Sequence, residues 1–250
     1  MKKYPFQNSL KRLTVESFCL RAKVKERLSF AVVSDLHDCE PAPVLEKIAS
    51  LSPDAVLIPG DLVHSSERFQ KGYDFLREAV RLAPVFLSVG NHEMKGEKDH
   101  LSVYRDLGGR VLENERISFR GVWIGGWSTG FLKGASQSKF QKTPVPELTF
   151  PDRFEKEEGF KILLCHHPEY YPKYLKEKKI DLILSGHAHG GQWRFFDRGV
   201  FAPGQGVFPR YTSGLYENRL LVGRGLGNPV YVPRICNPPE IISLILEPEV

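Results

Sequence analysis

Residues 28–37 read Leu28-Ser29-Phe30-Ala31-Val32-Val33-Ser34-Asp35-Leu36-His37. The apolar run up to Ser34 has the pattern of a strand buried on both faces. It stops at a carboxylate and an imidazole two positions apart. Further along, Val44 to Leu51 reads as a short helix, and Asp54 to Pro59 returns to strand before running into Gly60-Asp61. Phe69, Tyr73, Leu76 and Val80 recur at helical spacing, and Val85 to Val89 is again strand-like, ending at Gly90-Asn91-His92-Glu93. Strand, helix, strand at intervals of roughly 30 residues predicts βαβ units with parallel strands and right-handed crossovers.

The second half has a different rhythm. Val111-Leu112, Ile117 to Phe119 and Val122 to Gly126 read as short strands joined by tight turns, and residues 128–150 as an exposed loop or cap. Lys161 to Cys165 and Asp181 to Leu184 are apolar strands flanking a helix around Tyr171 to Lys179. Gln192 to Phe196, Arg219 to Val222 and Ile241 to Leu246 are strand-like. This order predicts an α/β fold of two mixed sheets covered by helices.

Composition narrows the classes. In 250 residues, 41% hydrophobic and 26% charged, a disordered or collagenous chain is excluded. Cys19, Cys39, Cys165 and Cys236 are too scattered for a zinc knuckle or a disulfide frame. Residues 1–27 carry eight Lys or Arg against two Glu, and the remainder is close to neutral, so the net +5 is an N-terminal feature and not a nucleic-acid-binding surface. Residues 1–27 therefore read as a basic tail leading into an edge strand near Val15 to Leu20, ahead of a single domain over 28–250. Interleaved Phe6, Leu10 and Leu13 make peripheral contact with an anionic membrane the alternative use of that tail. No apolar stretch follows Met1-Lys2-Lys3 before Lys11, so no secretory signal is read and a cytoplasmic location is expected.

The polar residues fall at the ends of the strands, where α/β folds build their ligand sites. The strand at Lys161 ends at His166-His167-Pro168, and that at Asp181 ends at Gly186-His187-Ala188-His189-Gly190. Parallel strands would set Asp35, Asp61 and Asn91 side by side. Extended backbone would aim His37 with Asp35, and His187 with His189. Gly60, Gly90, Gly186 and Gly190 suit the sharp turns such exits need. Two carboxylates, an amide oxygen and four imidazoles make a hard-to-borderline donor set that suits Mn, Fe or Zn. Seven donors exceed the need of one ion, so a pair roughly 3.5–4 Å apart sharing a carboxylate is expected. Each motif alone is an ordinary turn or a half-buried histidine; the ordered set carries the reading.

The series Asp35-Leu36-His37, Gly60-Asp61, Gly90-Asn91-His92-Glu93, His166-His167-Pro168 and Gly186-His187-Ala188-His189 resembles the calcineurin-like metallophosphoesterase family, from about Phe30 to Glu247. Gly190-Gly191-Gln192, Gly223-Arg224-Gly225-Leu226-Gly227 and Asn237-Pro238-Pro239-Glu240 resemble its YkuE-like subgroup. The resemblance implies a four-layer α/β/β/α sandwich and two divalent ions. Asp35, His37, Asp61 and His189 would hold one ion, and Asp61, Asn91, His166 and His187 the other, with Asp61 as the bridge. His92 would contact the substrate phosphate and protonate the leaving oxygen, a task that suits an imidazole. His64 matches no ligand position, and Asn91, Arg210, Phe208, Pro209 and Tyr211 are further candidates for substrate contact.

The function expected is hydrolysis of a phosphodiester by attack of a metal-bound hydroxide. The alternatives are a pyrophosphatase of the UDP-2,3-diacylglucosamine type, a phosphomonoesterase, and a non-catalytic interaction scaffold. For the lipid reading, Phe131, Phe140 and Phe150 with Lys133, Lys139 and Lys142 offer a pocket lining; the simpler reading pins that loop to its own core.

Overall fold

A computed structural model describes residues 12–138, 140–230 and 232–249. Of the basic tail read over residues 1–27, residues 1–11 lie outside them. Strands β1 (Thr14–Ala22), β2 (Leu28–Val32), β3 (Ala55–Ile58), β4 (Val85–Leu87) and β5 (Arg110–Val111) belong to the first sheet. β6 (Glu115–Phe119), β7 (Val122–Trp127), β8 (Phe160–Cys165) and β9 (Leu182–Ser185) belong to the second. Two small hairpins follow, β10 (Arg194–Phe195) with β11 (Arg198–Gly199) and β12 (Phe201–Ala202) with β13 (Gly206–Val207). β14 (Gly214–Tyr216) and β15 (Leu220–Val222) complete the second sheet, and β16 (Glu240–Pro248) returns to the first.

The first sheet has the order β1-β16-β2-β3-β4-β5, and only the β16–β2 pairing is antiparallel. The second has the order β14-β15-β9-β8-β7-β6, parallel except at its two outer pairings. Both sheets are mixed.

Alternation along each strand separates the layers. Leu28, Phe30 and Val32 of β2 meet Ile162 and Leu164 of β8 and Leu182 and Leu184 of β9 between the sheets. Ala31, Val56, Ile58 and Leu87 face the other way, under α1 (Ala42–Leu51), α2 (Gln70–Leu82) and α3 (His100–Asp106). Leu163, Cys165 and Ile183 lie under α4 (Thr149–Phe154) and the turns through Tyr171 and Leu175. The result is the expected four-layer α/β/β/α sandwich, with both middle sheets covered.

Local readings needed correction. The helix expected around Tyr171 to Lys179 is a 3-10 turn over Pro168–Tyr170 followed by a π-turn over Tyr171–Leu175. Pro172 has no amide to donate to the Pro168 carbonyl, so no α-helical ladder runs on from the 3-10 turn. The strand expected from Gln192 to Phe196 shrinks to Arg194–Phe195, because Gln192 and Phe196 sit at positive φ (59° and 47°) and bend the chain at both ends. Helix α3 shows no long apolar period; it starts on Asp99, whose carboxylate accepts the Ser102 amide at 3.2 Å.

Candidate metal centre

The carboxyl ends of β2, β3, β4, β8 and β9 converge where the sheets meet. The Gly186 amide donates to the His166 carbonyl at 3.1 Å. The His187 amide donates to both Asp35 carboxylate oxygens, at 3.0 and 3.1 Å. Asp35, His37, Asp61, Asn91, His92, His166, His187 and His189 are all buried.

The turns that aim these groups are not extended. Asp35, His37, Asp61, His187 and His189 have φ of 52°, 46°, 58°, 63° and 48°. The two-residue spacing therefore works through left-handed corners, a conformation non-glycine residues adopt at a cost and one that clusters at functional sites. The glycines divide by role. Gly60 has a φ of 129°, whereas Gly90 and Gly186 are needed for space: a Cβ on Gly90 would fall on Asp61 Oδ1, and one on Gly186 on Asp35 Oδ2.

Four groups of three donor atoms form among the described residues. Two of them, Asp35 with His37 and His189, and Asp61 with His166 and His187, are the triads the sequence points to; the others are His37 with His64 and His92, and His167 with Glu169 and His187. Asp61 Oδ2 lies 3.6 Å from His37 Nε2 and 3.2 Å from His166 Nε2, between the triads. His37 Nε2 and His189 Nε2 are 3.2 Å apart, and His189 Nε2 is 3.6 Å from Asp35 Oδ1. Asn91 shares the cavity wall with Asp61 and His187. Its amide nitrogen donates to Gln137 Oε1 at 2.9 Å, and Gln137 Nε2 donates back to the Asn91 carbonyl at 2.8 Å. That grip leaves Asn91 Oδ1 buried without a partner, and His166 Nδ1 lacks a hydrogen bond as well. Buried polar atoms are rarely left unpaired. Orphaned oxygen and nitrogen donors around shared carboxylates fit a pair of divalent cations.

The electrostatics agree. Burial pushes the Asp35 carboxyl up to about 6. Burial, reinforced by neighbouring imidazoles or by Arg234, holds His37, His187 and His189 well below the usual imidazole range, in the neutral form that ligates metals. Burial works against protonation of His166 too, but the Asp61 and Asp35 carboxylates outweigh it and raise it to about 9. The protein alone thus supplies one proton where a cation would neutralise the same carboxylates.

Further residues support these groups: Thr129 and Arg234, which the sequence does not mark, and His64, Asn237 and the Gly223–Gly227 segment, which it does. Thr129 Oγ1 lies 2.8 Å from His167 Nε2, and the His167 ring packs 4.3 Å from that of His187. Asn237 donates to the His189 carbonyl at 2.7 Å, and Arg234 Nη2 stands 3.2 Å from His189 Nδ1. The Gly227 amide donates to the Asp35 carbonyl at 2.7 Å, which places the Gly223–Gly227 segment against the Asp35 turn. The His64 carbonyl lies 2.5 Å from His92 Nδ1, and its ring is 5.0 Å from that of His92.

A cavity of about 480 Å³ opens over the centre. Asp61, Asn91, His92, His187 and His189 line its polar side, and Phe131, Trp193, Val200, Phe201 and Val230 its apolar side. Arg210 is not brought there. Tyr211 is buried, with its amide and carbonyl bound by Gln205, so the preceding side chain turns outward to lie 3.6 Å from Glu217. Phe208 is 80% exposed, and Pro209 is absent from the cavity wall. Of the loop aromatics, Phe131 lines the cavity, Phe150 stacks on Phe154 in the core, and Phe140 is exposed beside Phe201. Lys133 and Lys142 do not line this cavity, and Lys139 lies outside the described residues. Gln137, Ser138, Gln141 and Thr143 also line it, so part of the stretch read as an exposed loop or cap walls the cavity. No helix among the described residues is long and apolar enough to cross a membrane.

Comparison with known proteins agrees with this geometry. The chain is 32% identical over 206 residues to phosphodiesterase YaeI of Escherichia coli, covering 78% of this chain and 70% of that one. It is 28% identical over 222 residues to the uncharacterized metallophosphoesterase YkuE of Bacillus subtilis, covering 82% and 71%. It is 26% identical over 276 residues to the UDP-2,3-diacylglucosamine pyrophosphatase LpxG of Chlamydia trachomatis, covering 86% and 82%. The family model for calcineurin-like phosphoesterases matches residues 28–191, the span holding all of the converging donors, and the chain belongs to that family.

Proposed function

We propose that the protein hydrolyses a phosphodiester at a two-cation centre. The observation that carries this is the position of Asp61 Oδ2, 3.6 Å from a ring nitrogen of one triad and 3.2 Å from one of the other. Asp35, His37, Asp61 and His189 would hold one ion and Asp61, Asn91, His166 and His187 the second, with Asp61 common to both sets. When bound, such a pair lowers the pKa of water and neutralises phosphoryl oxygens. The ions are Mn, Fe or Zn by donor type.

The chain's own groups do the rest. Buried imidazoles and carboxylates fix the centre, and Gln137 orients the Asn91 oxygen. His92, next to a ligand, faces the scissile group; its Nε2 is 3.9 Å from Asp61 Oδ2. The resemblance to YaeI, a phosphodiesterase by name, supports the choice of ester. A second reading, cleavage of a lipid-linked pyrophosphate as in LpxG, is favoured by the apolar side of the cavity, where Phe131, Trp193 and Phe201 would accept an acyl chain.

The test is a panel of bis-p-nitrophenyl phosphate, p-nitrophenyl phosphate and a UDP-linked diacylglucosamine with Mn-loaded protein, before and after chelation. Fastest, chelator-sensitive turnover of the diester is expected. Faster turnover of the UDP-lipid replaces the diester with the second reading, and two tightly held ions with no turnover of any ester overturns both.

A further inference from the structure

Lys95 lines the cavity together with Asp61, Asn91 and His92. Its Nζ stands 2.7 Å from His92 Nε2 and 3.2 Å from His92 Nδ1. His92 Nδ1 is already tied to the His64 carbonyl at 2.5 Å. A carbonyl only accepts, so Nδ1 carries the ring proton and Nε2 offers a lone pair. Distances so nearly equal to both ring nitrogens set the ammonium over the face of the His92 ring, off the in-plane direction of the Nε2 lone pair. An ammonium has three donors, and seated over the ring face it keeps at least two of them for the cavity. With the one ring proton of His92 held by the His64 carbonyl, the neighbouring group that presents donor protons to an anion in the cavity is Lys95.

We propose that Lys95 is a substrate-contacting residue, its ammonium taking a non-bridging phosphoryl oxygen beside the metal centre while His92 and the His64 carbonyl hold it in place. The proposal rests on the phosphoesterase reading only in taking the anion to be a phosphoryl group. It adds a fixed positive charge that the sequence motifs do not contain, and it makes His92 in part a support for a second residue. Arg68 and Asp61 are the other charged groups acting on this lysine.

The experiment is calorimetric titration of inorganic phosphate into the Mn-loaded wild type and the Lys95→Met, Lys95→Arg, His92→Ala and His92→Ala/Lys95→Met variants, with metal content measured for each. Lys95→Met should bind phosphate about 10- to 100-fold more weakly, the range for a lost charge-assisted hydrogen bond, with two ions retained. Lys95→Arg should recover most of that loss, and the double variant should bind more weakly than His92→Ala alone. Wild-type affinity in Lys95→Met, equal affinity in His92→Ala and the double variant, or no phosphate binding by the wild type each overturns the proposal. Lys95-dependent phosphate binding without hydrolysis of any ester would instead overturn the functional reading and leave this contact standing.

Discussion

Glu93 Oε2 accepts the backbone amide of Asp61 at 3.0 Å, so a residue of the β4 exit holds the turn at the β3 exit. The same carboxylate accepts the Leu62 amide at 2.8 Å, the Gly90 amide at 2.8 Å and the Tyr104 hydroxyl at 3.1 Å. Asp61 and Asn91, on adjacent strands, are thereby fixed relative to each other from behind. Burial, with the Asp61 charge nearby, raises the Glu93 carboxyl to about 7, a sign of how far this clamp sits from water.

Replacing Glu93 with Ala leaves three backbone amides and a hydroxyl without an acceptor in a dry site. Each unsatisfied donor costs about 1–3 kcal/mol before relaxation. Allowing for partial relaxation and water entry, Glu93→Ala should lower stability by about 3–5 kcal/mol. Urea denaturation of the metal-free protein measures it. A loss below about 1 kcal/mol would show that the two turns hold their shape without the clamp.

The strand-end placement of Asp35, Asp61, Asn91, His166, His187 and His189 was legible because apolar runs and the polar residues that stop them are local patterns. Backbone shape at those exits was not. Aspartate and histidine enter the left-handed region only when the surrounding fold over-determines them, so no propensity announces the φ of 52° at Asp35 or 63° at His187. Gln137 was invisible for another reason: it acts across a separation of 46 residues, from a loop with no period. The outward turn of Arg210 likewise depends on the burial of Tyr211 and on Gln205, neither of which its own neighbourhood encodes.

Gly186 and Gly121 make a controlled pair. A methyl group on Gly186 would fall on Asp35 Oδ2, whereas one on Gly121 (φ 84°) meets nothing within 4 Å. Gly121→Ala should cost about 1–2 kcal/mol in left-handed strain and leave metal binding intact. Gly186→Ala should displace the Asp35 carboxylate and lower metal affinity by at least about tenfold, the range seen when a ligand loses its orientation. Manganese titration of both variants separates the two effects. Equal affinities would mean that Asp35 has room to move.

Gln137→Ala removes the partner that holds the Asn91 amide in one orientation. The amide is then free to rotate, and its oxygen no longer faces the cavity in every molecule. Affinity for one of the two ions should fall about 10- to 100-fold while the other is unchanged. Stability of the metal-free protein should shift by less than about 1 kcal/mol, the usual size for one partly exposed hydrogen bond. Biphasic metal release followed by a chromogenic chelator reads this out; uniform weakening of both ions would place Gln137 in the general support of the site.

Metal removal should lower the melting temperature, because the unfolded chain cannot assemble donors drawn from five strand ends. In the folded protein Asn91 Oδ1 is buried with no hydrogen-bond partner, and Asp61 Oδ2 lies within 4 Å of ring nitrogens of His37, His92 and His166. An ion at a thousand times its dissociation constant adds about 4 kcal/mol to the folded state. For a chain of this size each kcal/mol moves the midpoint by about 2–4 °C, so saturating manganese should raise it by about 8–16 °C over the chelated protein. Asp61→Asn, which keeps the shape but removes the shared charge, should lose most of that rise. Scanning calorimetry at several manganese concentrations measures both. A midpoint unmoved by metal across that range would mean that the converging donors bind no cation in the folded state.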